Sequence, residues 1–272
     1  SGVRTFRVGD EVMAAPTAPC GACFFCVRQQ ENLCETIMET MVLGAFADYV
    51  RLPARVVRQN VYTKHPDLSF AAAALLEPLA CVLHGLVGIE AERAETVVLL
   101  GAGAISLLHL RALRARGAGR IFVVGRSAVR AAHARTLGAD AVLLDDMAEA
   151  ASTIMRATAG RGADLVVECT GQVEVWNGAP SFARRGGQVI FFGGCRPGTA
   201  LTVDTQRFHY DELRLASPFH FTPTDVRHSW EMLASPDFGA DKLITATFPL
   251  TELGAALELH RSGQGVKYAI EP

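Results

Sequence analysis

Three absences narrow what this 272-residue chain can do. No run of Lys or Arg interrupts a nearly balanced composition with a formal net charge of -2, so the sequence offers no electrostatic footprint for a nucleic-acid backbone or an anionic membrane. No apolar stretch exceeds Phe70 to Leu76, far short of the roughly 18 residues needed to cross a bilayer. No basic segment followed by an apolar one opens the chain, which starts in Ser1-Gly2-Val3-Arg4 as though inside a fold. A soluble, cytoplasmic protein with small-molecule partners is expected, and because no Met begins the chain, an upstream segment is expected too.

Half the residues are apolar and a fifth are charged, enough to bury one large core or two moderate ones. Residues 1–66 carry turn residues and short Val-rich runs (Val8 to Met13, Ala47 to Leu52), which predict irregular β structure. Ser69 to Gly88 predicts a helix capped by Ser69 and kinked at Pro78. After Glu95 the texture becomes a β-α alternation. Its strands are Thr96 to Leu100, Arg120 to Val124, Ala141 to Leu144, Asp164 to Val167, Gln188 to Phe192 and Leu213 to Ala216. Helical spacing fills the intervals, including Val173 to Arg184, and predicts a doubly wound parallel sheet. A helix from Thr224 to Leu233, a segment Lys242 to Thr247, a Thr251-capped helix and a strand Val266 to Ile270 close the chain.

Seven cysteines is an odd number, and Cys20, Cys23, Cys26 and Cys34 crowd into C-x2-C-x2-C-x7-C. Thiols at this spacing, on turns helped by Pro19 and Gly21, can wrap one tetrahedral zinc and fill every coordination position, which makes the site structural. Paired disulfides, free thiols or a metal-expelling redox switch compete with that reading. Neither disulfides nor free thiols account for three cysteines at successive spacings of three, and the redox switch has no specific support in the sequence.

Thr96 to Leu100 runs into Gly101-Ala102-Gly103-Ala104-Ile105-Ser106. Gly101 permits the tight turn, Gly103 lets the backbone approach a pyrophosphate at the helix terminus, and Ser106 replaces the third glycine of a dinucleotide fingerprint. The second strand should end at the adenosine ribose, where NAD-binding proteins offer an acid. Here Gly125, Arg126 and Arg130 stand instead, with no acid between Val123 and Ala139. A guanidinium can pair with a 2′-phosphate, so NADP(H) is expected over NAD(H). The competing reading makes both arginines solvated residues at a helix start.

The cysteine cluster, Val8-Gly9-Asp10-Glu11-Val12, Glu77-Pro78-Leu79-Ala80 and the glycine loop together resemble the zinc-containing medium-chain dehydrogenase/reductase family, with alcohol, sorbitol and threonine dehydrogenases as the nearest branch. The resemblance implies a Rossmann domain inserted in a GroES-like β domain: 1–80 as a partial catalytic domain, 81–222 for the coenzyme, and 223–272 returning to the first. It implies hydride transfer between an alcohol or polyol and a nicotinamide, in a homo-oligomer. It places Thr170 and Gly171 near the adenosine end, Gly193 and Gly194 near the nicotinamide, and His220 towards the cofactor or active site; a plain hydrogen-bonded His remains the other reading. Glu77 matches the position of a ligand to a catalytic zinc, or to its water. The early Cys and the His-Glu pair of that zinc are not found, since no Cys precedes Cys20 and no His precedes His65. The chain is therefore expected to keep the structural zinc and the nucleotide site without a competent catalytic zinc. A non-catalytic NADPH-binding protein and a zinc-free quinone-reductase-like enzyme are the alternatives.

Overall fold

A computed structural model describes residues 3–272; the first two residues of the expected 1–80 domain lie outside the described residues. In chain order the regular elements are β1 (Val12–Ala14), α1 (Ala54–Gln59), β2 (Val61–Thr63), α2 (Phe70–Ala73), α3 (Leu76–Gly85), β3 (Thr96–Leu100), α4 (Ala104–Ala115), β4 (Arg120–Val124), α5 (Ala128–Thr136) and β5 (Ala141–Leu143). There follow α6 (Met147–Ala157), β6 (Ala163–Glu168), α7 (Val173–Gly178), β7 (Ala183–Phe191), α8 (Thr205–Tyr210), β8 (Arg214–Ala216), α9 (Pro223–Leu233), β9 (Ala246–Pro249), α10 (Leu253–Arg261) and β10 (Tyr268–Glu271). The chain divides into two compact units. The first takes in the chain up to His84, Phe219–Ser262 and Lys267–Pro272; the second is Gly85–Pro218 with Gly263–Val266.

The second unit is a six-stranded parallel sheet in the order β5-β4-β3-β6-β7-β8. The order reverses beside β3, as in doubly wound nucleotide-binding sheets. All five residues of β3 are buried, because helices cover both faces of a parallel sheet. Val98, Leu100, Val166, Val189 and Phe182 pack together in the core of this unit.

The first unit has two small sheets, antiparallel β1-β2 and parallel β9-β10. Only Val12–Ala14 of the Val8 run forms a strand, and Ala47 to Leu52 forms none. A strand needs a neighbour for its backbone groups. No ladder reaches these residues, and Val8 and Tyr49 are almost fully exposed. Ser69 caps α2, accepting from the Ala72 amide at 3.0 Å. The predicted helix breaks between α2 and α3, at Ala74 and Leu75, one turn before Pro78: proline has no amide to give the Ala74 carbonyl and its ring crowds it, so the interruption falls four residues ahead of the proline. Pro180 interrupts a second helix. The helix from Val173 stops at Gly178, passes through a 3-10 turn and becomes β7 at Ala183. Near the end, α10 begins at Leu253 without the Thr251 cap, and β9 begins later than Lys242, at Ala246.

Candidate functional site

In the first unit the Sγ atoms of Cys20, Cys23, Cys26 and Cys34 lie within 4.8 Å of one another. Short 3-10 turns over Cys26–Arg28 and Glu31–Leu33 bring them together. Backbone amides aim at the sulfurs: Ala22 and Cys23 donate to Cys20 Sγ at 3.4 and 3.3 Å, and Cys20 donates to Cys34 Sγ at 3.3 Å. Backbone donors at Cys26 and Glu35 hold Cys23 down at about 6, whereas burial pushes Cys26 up to about 12. For Cys34 burial is outweighed by the amides of Cys20 and Thr36, and the net shift is downward. Four sulfurs at mutual contact, with amides already directed at them, suit four thiolates around one soft cation.

Glu77 opens α3 and Cys81 follows one turn later, its thiol donating to Glu77 Oε1 at 3.4 Å. Burial raises the Glu77 carboxyl above its ordinary range and raises the Cys81 thiol. His220 follows β8, and its Nε2 lies 2.7 Å from Thr17 Oγ1. Burial lowers His220, with His84 adding to the effect. Among the described residues the only set of three or more metal-competent side chains is the cysteine cluster, so Glu77 does not gather the donors of a catalytic zinc.

In the second unit Gly101 has φ of 110°, which an L side chain rarely adopts, and a Cβ there would press on Thr170 at 3.1 Å. Gly103 is the N-cap of α4, with open space where a side chain would stand. Gly125 is required for a different reason: its Cβ would lie 2.8 Å from that of Ala102. These residues line a cavity of about 640 Å³ outside the carboxyl ends of β3 and β4. Arg126, Arg130 and Thr170 line it as well. Arg126 is exposed; Arg130 is half-buried and donates through Nε to Gly265 O at 3.0 Å. Ala104 and Ile105 form the first turn of α4, outside the lining, and Ser106 is fully buried with no partner for its hydroxyl. Gly171, Gly193 and Gly194 are not among the lining residues and are in mutual backbone contact, since a Cβ on Gly171 would meet Gly194 O at 2.5 Å. A larger cavity of about 770 Å³ sits at the amino ends of the strands, where Arg161 and Arg184 are engaged by Glu95 and Asp164. Ligands of open α/β sheets bind outside the carboxyl ends, which favours the smaller one.

Two features escaped sequence reasoning. Asp145 and Asp146 line the same cavity as Arg126, Asp146 capping α6 through the Glu149 amide at 2.9 Å. An acidic pair between a strand and a helix was the available signal. Glu168 ends β6 fully buried, accepting from the Thr170 amide at 2.6 Å, the Thr170 hydroxyl and the Gly171 amide at 3.3 Å. Burial raises its carboxyl, and those donors partly offset the effect.

The family profile described as zinc-binding dehydrogenase matches residues 104–235, and that described as alcohol dehydrogenase GroES-like domain matches residues 1–61. The chain is 32% identical to the D-arabitol-phosphate dehydrogenase of Enterococcus avium over 97% of its length and 75% of that protein's. It is 28% identical to D-arabinitol dehydrogenase 1 of Uromyces fabae, covering 99% of this chain and 77% of that one. A Sinorhizobium meliloti protein whose structure, bound to NADP, is described as a zinc-binding dehydrogenase superposes with a TM-score of 0.87 at 27% identity, covering 100% of this chain and 79% of the other.

Proposed function

The chain belongs to the zinc-binding dehydrogenase family and carries its alcohol dehydrogenase GroES-like domain, and on that premise we propose that it moves hydride between a polyol, or the matching carbonyl compound, and NADP(H). Relatives named for arabinitol and arabitol phosphate support the polyol class. The observation that carries the coenzyme choice is Arg126 on the rim of the glycine-loop cavity, at the end of β4 where an NAD site would offer a carboxylate. NADP(H), when bound, supplies hydride chemistry at its nicotinamide ring. The amides around Gly103 would face its pyrophosphate, and Arg126 its 2′-phosphate.

We assign one zinc to Cys20, Cys23, Cys26 and Cys34, where it would hold the lobe and leave no position for substrate. We assign Glu77 and His220 to the proton side of the reaction. Their shifts, up for the carboxyl and down for the imidazole, both favour uncharged forms that can pass a proton on a half-buried face. A second reading, an NADPH-binding protein without alcohol turnover, draws on the lack of a donor set around Glu77 among the described residues.

Titration with NADPH and NADH, together with NADP-dependent oxidation of a panel of polyols, tests the assignment. Arg126→Ala should lose about 1.5–3 kcal/mol of NADPH affinity, on the order of tenfold to hundredfold, and leave NADH untouched. Equal affinities in the wild type would sink the coenzyme choice. Tight NADPH binding without polyol turnover would favour the second reading.

A further inference from the structure

His220 is conformationally unusual. Among the described residues four non-glycine ones have positive φ, and three of them, Gln29, Ala159 and Glu212, stand at the ends of helical turns, where a left-handed residue is ordinary. His220, with φ of 63°, does not: it lies two residues before the N-cap of α9. A strained backbone at a polar residue persists only where its surroundings over-determine it, and here the surroundings can be enumerated.

The Phe219 carbonyl accepts from Asn32 Nδ2 at 3.0 Å, and His220 Nε2 meets Thr17 at 2.7 Å. The His220 ring stacks on the fully buried Phe221 with centroids 4.1 Å apart. Beyond it, three donors converge on one oxygen, Asp225 Oδ2: the Thr222 amide at 2.8 Å, the Thr222 hydroxyl at 2.7 Å and His84 Nδ1 at 2.9 Å. Asp225 and Thr222 thus form the capping box of α9, and His84 fastens that box to α3. His84 is seven residues, or two turns, after Glu77 on that helix. The bond therefore joins the last residue of the first unit before the chain leaves it to the segment on which the chain returns.

We propose that His84 and Asp225 are positioning residues for the dehydrogenase reaction: their bond, through the Thr222 cap, holds His220 in its left-handed conformation on Thr17 and fixes it relative to the helix that carries Glu77. Capping alone needs only Thr222 and Asp225. The third donor, from a different helix, adds nothing to the cap and supplies the registration between the two groups assigned to the proton. The inference rests on the dehydrogenase reading, and the test separates the two.

The holoprotein is compared as wild type, His84→Ala, His84→Asn and Asp225→Ala, each also in a His220→Asn background. Asn can place an amide donor near the position of His84 Nδ1 and should recover most of what His84→Ala loses. The kcat of polyol oxidation should fall on the order of tenfold in His84→Ala and Asp225→Ala, with the KM for NADP unchanged. In the His220→Asn background the same substitutions should cost almost nothing further. Multiplicative losses in that cycle would overturn the proposal. Imidazole 15N spectra of the resting protein give a readout independent of turnover. The His220 signal should move in His84→Ala and return in His84→Asn; an unmoved signal would overturn the link even if Asp225→Ala fails to fold. A His220 signal that moves in His84→Ala, in a protein whose wild type oxidises no alcohol, would overturn the dehydrogenase reading, and the positioning role with it, while the physical link stands.

Discussion

The parallel sheet of the second unit and the cysteine lobe of the first are built by different means. In the second unit, β3 is buried along its whole length between β4 and β6, and the sheet continues through five parallel pairings. In the lobe the chain between β1 and α1 forms only short 3-10 turns, and four sulfurs gather with a small apolar cluster at Ile37. Leu43, Phe46 and Tyr49 are exposed there. The sheet is stabilised by apolar burial and repeated backbone ladders and the cysteine lobe by a few specific polar and sulfur contacts, while the rest of the first unit buries Leu75, Leu76, Leu79, Leu83, Phe221 and Phe238. The first kind of stability is distributed and degrades gradually; the second is concentrated and can be removed at a point.

The sharpest way to break that contrast is to remove the metal assigned to the lobe. Structural zinc contributes roughly 10–16 kcal/mol in small zinc-dependent peptides, far more than any single contact. A strong chelator, or Cys26→Ser, should abolish protease resistance and amide protection across residues 14–42 while β3, β4 and β6 keep theirs. Hydrogen exchange read by peptide distinguishes the outcomes. Equal loss in both units would mean that they unfold as one and that the contrast is false.

The next test turns to packing. Phe182 is fully buried among Val98, Val166 and Val189, and Phe182→Ala should cost about 3–5 kcal/mol in denaturant melts. Tyr49, 94% exposed, should change stability by less than about 0.5 kcal/mol as Tyr49→Ala. A large effect at Tyr49 would show that its stretch is more firmly packed than its exposure implies.

The same contrast explains what could be read in advance. Strands Thr96–Leu100 and Arg120–Val124 were legible to the residue, because continuous apolar runs ending in glycine have few other ways to be buried. The start of β7 was not: Ala183-Arg184-Arg185-Gly186-Gly187 has no strand pattern, and its pairing comes from the neighbouring β6. The cysteine cluster was legible because spacing alone brings its ligands together. The partner of His220 was not, since Thr17 lies 203 residues away and only tertiary structure joins them. Asp145 and Asp146 were not legible as cavity residues, because only the fold brings the segment between β5 and α6 beside the end of β4.

The last test probes the strength of the second unit from within. His109, on the buried face of α4, is fully enclosed; its Nδ1 is 3.0 Å from the Ile105 carbonyl and its Nε2 has no partner. Burial lowers it to about 4, with the Ile105 bond opposing and Arg116 adding to the fall. The folded state therefore prefers the neutral ring, whereas the unfolded chain takes up a proton near 6.5. Between those values the unfolded state binds more protons, so stability falls as pH falls. The stabilisation is intact above about pH 6.5, drains away towards pH 4, and amounts to roughly 3 kcal/mol over that window. His109→Leu should flatten this acid slope in melts followed between pH 7 and 4, and the lobe's exchange pattern should be the same in both proteins. A slope that survives the substitution would place the acid sensitivity elsewhere, and a slope that appears in the lobe as well would show that the ladder-built sheet and the sulfur-built lobe share their stability after all.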